Sequence, residues 1–293
     1  MSAHNENAKK VPDPFFATGY KGAALLTGIL LKREQVARGI HILEFELAHG
    51  GGGAPPPLPG QFYNIDCGGG REHLLRRPIS AHGRSGFAEG EPKIRFVVEE
   101  SGWGTRSLCS RMPEDLVSLF GPLGRGFEIP PDGKPLLVAG GLGLAPIFFA
   151  ARELDRARAD YDLLAGFSIG ERYYRVLGDL YGNIQVYTED GMVGVKGMVS
   201  DGAAERLEAG EYSVVLTCGP EAMMEAVAGH AERAGVPCQA SLASRMACGV
   251  GACRGCVREG KAGRNLCVCT DGPVFDSREV VWLSKRGIGG SLD

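Results

Sequence analysis

"PLLVAGGLGLAPIFFAARELDRA", Pro135–Ala157, reads as a buried apolar strand, a glycine turn and a helix in immediate succession. The same grammar continues downstream. "YDLLAGFS" (Tyr161–Ser168) and "IQVYTED" (Ile184–Asp190) read as two further strands, and "YSVVLTCGPEAMMEAVAGHAERAG" (Tyr212–Gly235) as a strand, a turn and a helix. Strands that alternate with helices predict a parallel, doubly wound α/β sheet. In the turn, Gly140, Gly141, Gly143, Ala145 and Pro146 allow backbone to approach a dinucleotide at a helix N-terminus. The spacing is not a strict G-x-G-x-x-G, so a tight strand–helix turn without a ligand is the alternative. Cys218, Gly219 and Pro220 close another strand of the same sheet, at the end where open α/β sheets bind ligands.

Upstream the texture changes. "AALLTGILLKREQVARGIHILEFELA", "GQFYNIDC" and "PKIRFVVEE" are short apolar or alternating runs broken by Gly, Pro and polar turns, which predicts a small antiparallel barrel. "HGGGGAPPPLPG" (His49–Gly60) is a surface loop by composition. In "LRRPIS" (Leu75–Ser80), Arg77, Pro78, Ile79 and Ser80 offer a guanidinium fork and a hydroxyl suited to a pyrophosphate. An Arg beside a Pro is also common at a solvated strand end. "GWGT" (Gly102–Thr105) then reads as the opening of a helix, and "FGPLGRGF" (Phe120–Phe127) as a turn-rich closing segment.

Downstream of the α/β pattern, "MACGVGACRGCVREGKAGRNLCVCTDGPVF" (Met246–Phe275) holds five of the chain's nine cysteines. Cys248, Cys253 and Cys256 stand as C-x4-C-x2-C, the plant-type [2Fe-2S] ligand spacing, with Cys267 and Cys269 as candidates for the fourth ligand. Gly249, Gly251 and Gly255 are expected to permit the positive-φ turns that bring three thiolates and several backbone N–H groups onto one anionic cluster. A structural zinc site is the alternative. It usually needs two paired knuckles, and only Cys253 and Cys256 form one. Cys67, Cys109 and Cys238 read as packing residues.

Composition narrows the function classes. At 293 residues and 44% hydrophobic, the chain can build a substantial core of about two domains plus a small module. The net charge of −3 and the lack of a basic stripe with interleaved aromatics give nucleic-acid binding no support. The polar start, "MSAHNENAKKVPDPFF", has no apolar signal core, and no run of about twenty apolar residues exists to span a membrane. A cytoplasmic chain with reduced thiols is expected.

The order of motifs is specific. Arg77-Pro78-Ile79-Ser80, Gly104-Thr105, "GPLGRGF", "AGGLGLAPI", "CGPEAMM" and the C-terminal C-x4-C-x2-C resemble, in that order, the ferredoxin–NADP reductase superfamily. More closely they resemble the electron-transfer subunits of NAD-linked, heterotetrameric dihydroorotate dehydrogenases, from about Ala23 to about Val281, with "RMACGVGACRGC" and "DGPVF" the most discriminating parts. The resemblance implies an FAD-binding barrel over residues 23–131, an NAD-binding domain over 132–236 and a [2Fe-2S] domain over 237–293, after a polar arm of residues 1–22. It implies that Arg77 to Ser80, the backbone of Val97, Val98 and Glu99, and Gly104-Thr105 bind FAD. Gly140 to Pro146 and Cys218 to Pro220 would bind NAD(H), with Cys218 beside the nicotinamide. The position of "DGPVF" selects Cys269 over Cys267 as the last cluster ligand.

The implied function passes electrons from a dihydroorotate-oxidising FMN barrel subunit, in a complex of two plus two chains, through the cluster and FAD to NAD+. A related flavin subunit of a bifurcating transhydrogenase, sulfide dehydrogenase or hydrogenase is the alternative. Two departures stand out. Ile79 occupies a place where ferredoxin reductases usually have Tyr, and Ala243-Ser244 stand where the dihydroorotate branch usually has an acidic residue. Ser168 and Arg172 follow the second strand of the nucleotide domain, where a 2′-phosphate could be held, against the NAD expectation.

Overall fold

The computed structural model describes residues 23–48, 55–68, 74–168 and 173–283. The N-terminal arm, Arg172 and residues 49–54 of the Gly/Pro loop lie outside the described residues.

Six strands close the first barrel: β1 (Ala24–Ala37), β2 (Ile40–Leu47), β3 (Phe62–Ile65), β4 (Arg77–Ser85), β5 (Lys93–Glu99) and β6 (Leu116–Leu123), in the order β1-β2-β5-β4-β3-β6. All their pairings are antiparallel. Closure leaves no unpaired edge. The interior is filled from alternate positions, including Leu30, Leu43, Phe45, Tyr63, Ile65, Phe96 and Leu119. The Phe96 ring meets Phe45 and Tyr63 edge-on, with centroids 6.0 and 5.5 Å away. "FGPLGRGF" is less turn-like than its composition suggests: Phe120–Leu123 complete β6, held between β1 and β3, and the chain turns only at Gly124. The short helix α1 (Trp103–Cys109) leads from β5 back toward β6.

The second unit is built from β7 (Pro135–Gly140), α2 (Leu144–Ala157), β8 (Asp162–Phe167), β9 (Asn183–Thr188), β10 (Val195–Lys196), α3 (Val199–Ala209), β11 (Val214–Cys218), α4 (Glu221–Arg233) and β12 (Cys238–Ser241). Its strands are parallel, and their alternation serves two cores. Leu137, Ala139, Leu163 and Leu216 face α2, while Leu136, Val138, Leu164 and Val215 face α3 and α4. A sheet covered on both faces explains why these strands read as unbroken apolar runs. β8 and β9 lie on one side of β7, and β11 and β12 on the other, so the switch point falls between β7 and β11.

The cysteine-rich segment contributes the hairpin β13 (Val257–Glu259) and β14 (Asn265–Cys267), then β15 (Val274–Asp276), which pairs antiparallel with β12. Both β12 and β15 belong to the seven-stranded sheet, although the sequence-based partition at residue 237 assigns them to the cluster segment. The segment is fastened again at Arg258, whose guanidinium donates to both Glu221 carboxylate oxygens at 2.6 and 3.0 Å. Cys67, Cys109 and Cys238 are buried packing residues. No described helix is long and apolar enough to cross a membrane.

Candidate electron-transfer site

One cleft of about 480 Å³ opens where the barrel, the sheet switch point and the cysteine-rich segment meet. From the barrel come Pro78, Ile79 and Ser80, Val97, Val98 and Glu99, and Thr105. From the sheet come Gly143, Ala145 and Pro146, with Cys218, Gly219 and Pro220. Residues separated by more than a hundred positions thus share one wall.

Arg77, Gly104, Gly140 and Gly141 are not among the lining residues. The Arg77 guanidinium crosses directly over Gly104: a Cβ built there would stand 2.9 Å from Arg77 Nε. Arg77 Nη1 also donates to Leu75 O at 2.6 Å. Thr105 is occupied within the α1 cap, its hydroxyl accepting from Gly102 N at 3.1 Å and facing Gly102 O at 3.2 Å. The β7–α2 turn rests on the β11–α4 loop backbone to backbone. A Cβ on Gly143 would lie 2.2 Å from Cys218 O, and one on Gly219 would lie 2.9 Å from Gly140 N. Only glycine permits this approach. Burial pushes the Cys218 thiol up to about 12, with a hydrogen bond to Ser241 pulling weakly the other way. Cys218 therefore meets the cleft as a neutral thiol, not a thiolate.

The barrel and the sheet are locked across α2. His82, buried in β4, stacks on Phe148 with centroids 4.4 Å apart, and its Nδ1 lies 3.2 Å from Ala145 O. A carbonyl only accepts, so Nδ1 carries the proton. Arg84 adds an ion pair with the buried Glu153 at 2.7 Å.

Sequence reasoning missed Phe62, Ser101, Ser241, Leu242, Met246 and Pro273, which also line the cleft, together with Leu142 of the glycine turn and the Ala243-Ser244 pair noted above. Pro273 had a signal, since it belongs to "DGPVF". Its role is tertiary: Arg125 N donates to Gly272 O at 2.5 Å and Leu242 N to Pro273 O at 2.8 Å, so "GPLGRGF" and "DGPVF" interlock beside the cleft. The Ser241–Met246 run carries the chain from sheet to cysteine loop along the cleft wall.

The cysteine loop packs on the barrel through Asn64, fully buried in β3, whose Nδ2 donates to Ala247 O at 3.4 Å. Gly249 and Gly251 take positive φ of 74° and 77° as expected, but Gly255 does not, and Arg254 takes the left-handed position at φ 58°. Each of the four expected cluster thiols receives backbone N–H groups. Cys248 Sγ accepts from Cys253 N at 3.3 Å and Val250 N at 3.5 Å, Cys253 Sγ from Gly255 N at 3.4 Å, Cys256 Sγ from Cys269 N at 3.4 Å, and Cys269 Sγ from Gly251 N at 3.2 Å. Those bonds hold the Cys248 thiol down at about 7, led by the N–H of Cys253. Burial raises Cys256 and Cys269. Donors aimed at sulfur suit an anionic thiolate cluster. The sulfurs that converge, however, are those of Cys256, Cys267 and Cys269, all within 4.8 Å of one another, while Cys253 is exposed. Ser168 is exposed after β8.

An antiparallel barrel beside a parallel nucleotide-type sheet, with a thiol-rich loop at their junction, defines a flavin-reductase-type electron-transfer fold. The family described as the iron–sulfur cluster binding domain of dihydroorotate dehydrogenase B matches residues 243–281. The dihydroorotate dehydrogenase B (NAD(+)) electron transfer subunit of Caldanaerobacter subterraneus subsp. tengcongensis is 36% identical over 256 residues, 86% of this chain and 97% of the relative. Its counterpart from Shouchella clausii is 33% identical over 86% of this chain and 96% of the relative. Among solved structures, the NADH-dependent reduced ferredoxin–NADP oxidoreductase, described for flavin-based electron bifurcation, is 26% identical and covers 90% of this chain and 92% of its own, with a TM-score of 0.75. The ferredoxin reductase of carbazole 1,9a-dioxygenase, at 20% identity, TM-score 0.60 and 75% and 68% coverage of this chain and its own, shares the fold. The chain belongs to the dihydroorotate dehydrogenase B electron transfer subunit family.

Proposed function

We propose that the chain takes electrons from a dihydroorotate-oxidising, FMN-containing barrel subunit and delivers them to NAD+, in a cytoplasmic complex of two plus two chains. One observation carries the reading: the flavin-type strands, the glycine turns of the sheet and the segment entering the cysteine loop line the same cleft. Bound FAD supplies the exchange between one-electron and two-electron transfer, and a [2Fe-2S] cluster supplies the one-electron relay to the partner.

The roles of this chain's residues follow from their places. Arg77 and Ser80 hold the FAD pyrophosphate, and Gly104 keeps the helix backbone low enough for the Arg77 guanidinium to pass. Ile79 gives apolar contact to the flavin ring without stacking, and Val97, Val98, Glu99 and Thr105 border it. Gly140, Gly141, Gly143, Ala145 and Pro146 receive the nucleotide at the start of α2, opposite Gly219 and Pro220. Cys218 closes a dry slot beside the nicotinamide as a neutral thiol. Cys248, Cys253, Cys256 and Cys269 hold the cluster, and the N–H groups aimed at their sulfurs favour that set. The described residues contain no eight-fold βα barrel, so oxidation of dihydroorotate falls to the partner.

The purified chain is expected to oxidise NADH with an artificial acceptor and to leave dihydroorotate untouched. Mixed with its partner, it couples dihydroorotate oxidation to NAD+ reduction. A Cys248→Ser complex that keeps both flavins should lose the coupled reaction and keep the NADH–acceptor activity. Full coupled activity without the cluster would overturn the relay. A higher kcat/KM with NADPH than with NADH would overturn the nucleotide assignment.

A further inference from the structure

The turn that carries Cys269 brings a third sulfur to the same point. Cys267 Sγ lies 3.7 Å from Cys256 Sγ and 3.8 Å from Cys269 Sγ. A tetrahedron of thiolates around zinc, with Zn–S bonds of about 2.3 Å, has edges of about 3.8 Å. Two of the three edges already match. We infer that Cys256, Cys267 and Cys269 form a three-thiol site for a single thiophilic divalent cation of the zinc class, filled when the iron–sulfur cluster is absent, and that filling it excludes the cluster. The exclusion rests on the proposed function, because it requires Cys256 and Cys269 to be cluster ligands; the site itself does not.

Local structure fixes the three thiols. The β13–β14 register sets Val257 opposite Cys267, which leaves Cys256 against the following turn. In that turn Thr270 N and Asp271 N both donate to Cys267 O, at 3.0 and 2.8 Å, and the Asp271 carboxylate accepts from Cys267 N at 2.8 Å. The reversal brings Cys267 and Cys269 together, although alternate residues of an extended strand would have shared only a face. All three are buried, at 2%, 4% and 2% exposure, so the site excludes bulk solvent. N–H groups of Gly251 and Cys269 already point at two of the sulfurs. On binding, three S–H protons leave to solvent and three metal–sulfur bonds form, giving a complex of net charge −1 with water as fourth ligand. Three packed thiols could also be plain core residues, since a free Cys behaves as a small hydrophobe. The convergence of three buried sulfurs on one point, two of them already accepting backbone N–H groups, favours the site.

The probes are Co2+ and Zn2+, added to the full chain freed of its cluster under anaerobic, reducing conditions. One Co2+ per chain should bind with the visible bands of tetrahedral thiolate ligation, and Zn2+ should displace it. Cys267→Ser should weaken Co2+ binding by at least about tenfold, while Cys248→Ser, which lies outside the trio, should leave it within about threefold. Zinc X-ray absorption of the loaded wild type should count three sulfur neighbours and one lighter atom. Zinc loading should block reconstitution of the cluster spectrum in wild type. No Co2+ uptake, equal uptake by Cys267→Ser, equal loss in Cys248→Ser, or four sulfur neighbours would each overturn the site. Should Cys267→Ser fail to fold, the Cys248→Ser titration and the sulfur count still decide. A wild-type chain that takes up Co2+ in this pattern but never forms a [2Fe-2S] EPR signal would instead defeat the proposed function.

Discussion

Gly143→Ala tests the packing at the heart of the cleft. Gly143 has φ −60° and ψ −13°, an ordinary right-handed conformation that alanine adopts freely. On backbone grounds alone, the substitution should stabilise the fold by about 0.4–1 kcal/mol through the unfolded chain. Its surroundings argue the other way. The new Cβ would stand 2.2 Å from Cys218 O, 2.4 Å from Cys218 C and 2.6 Å from Gly219 N, all backbone atoms with no rotamer to change. Relief requires the β7–α2 turn and the β11–α4 loop to part by about 1 Å, an overpacking cost of roughly 1–3 kcal/mol. Both segments line the nucleotide side of the cleft, so NADH affinity of the holo-chain should fall by roughly 5- to 150-fold. FAD content and the cluster EPR signal should not move, because the atoms nearest the new Cβ all belong to Cys218 and Gly219, on the nucleotide side of the cleft. Gly178→Ala is the control, since nothing lies within 4 Å of its Cβ position. The readouts are an NADH titration by fluorescence quenching, flavin absorbance and Tm. Wild-type NADH affinity together with an unchanged or raised Tm would refute the close-approach argument.

Arg77→Ala should remove a charge-assisted contact worth on the order of 1.5–3 kcal/mol and weaken FAD binding about tenfold or more, read as flavin lost on a desalting column; full retention would count against the pyrophosphate role. Cys269→Ser should abolish or distort the reduced-cluster EPR signal while Cys267→Ser leaves it nearly unchanged, and the reverse pattern would exchange the two assignments. His82 is held neutral by burial, its pKa lowered to about 4. Between that value and the unfolded value near 6.5, only the unfolded chain binds the proton. Stability should therefore fall as pH drops through this window, by roughly 3 kcal/mol in all. His82→Gln lacks this loss, so its Tm deficit should narrow between pH 7 and pH 5; a constant gap would refute the assignment.

Local sequence determined the two fold classes and the cluster chemistry. Alternating runs in the first third form the closed barrel, and unbroken apolar strands with intervening helices form the two-faced sheet, because both patterns reflect burial of a single element. The spacing of Cys248, Cys253 and Cys256, with turns at Gly249 and Gly251, is likewise a property of one short loop. Only the tertiary structure decided what that loop touches. Ser241, Ser244, Met246 and Pro273 enter the cleft because β12 and β15 pair within the sheet and carry the intervening chain past the switch point. Asn64 meets Ala247 across 183 positions, and Arg258 meets Glu221 through a bidentate ion pair that no periodicity announces. Cys267 looks spare in the sequence, one residue from Cys269 and out of step with any knuckle. The hydrogen-bonded turn at Asp271 and the β13–β14 register bring its sulfur against two others. The physical reason is range: residue type and period report how one segment meets solvent, whereas a site assembled from three segments depends on a register and a turn set by distant partners.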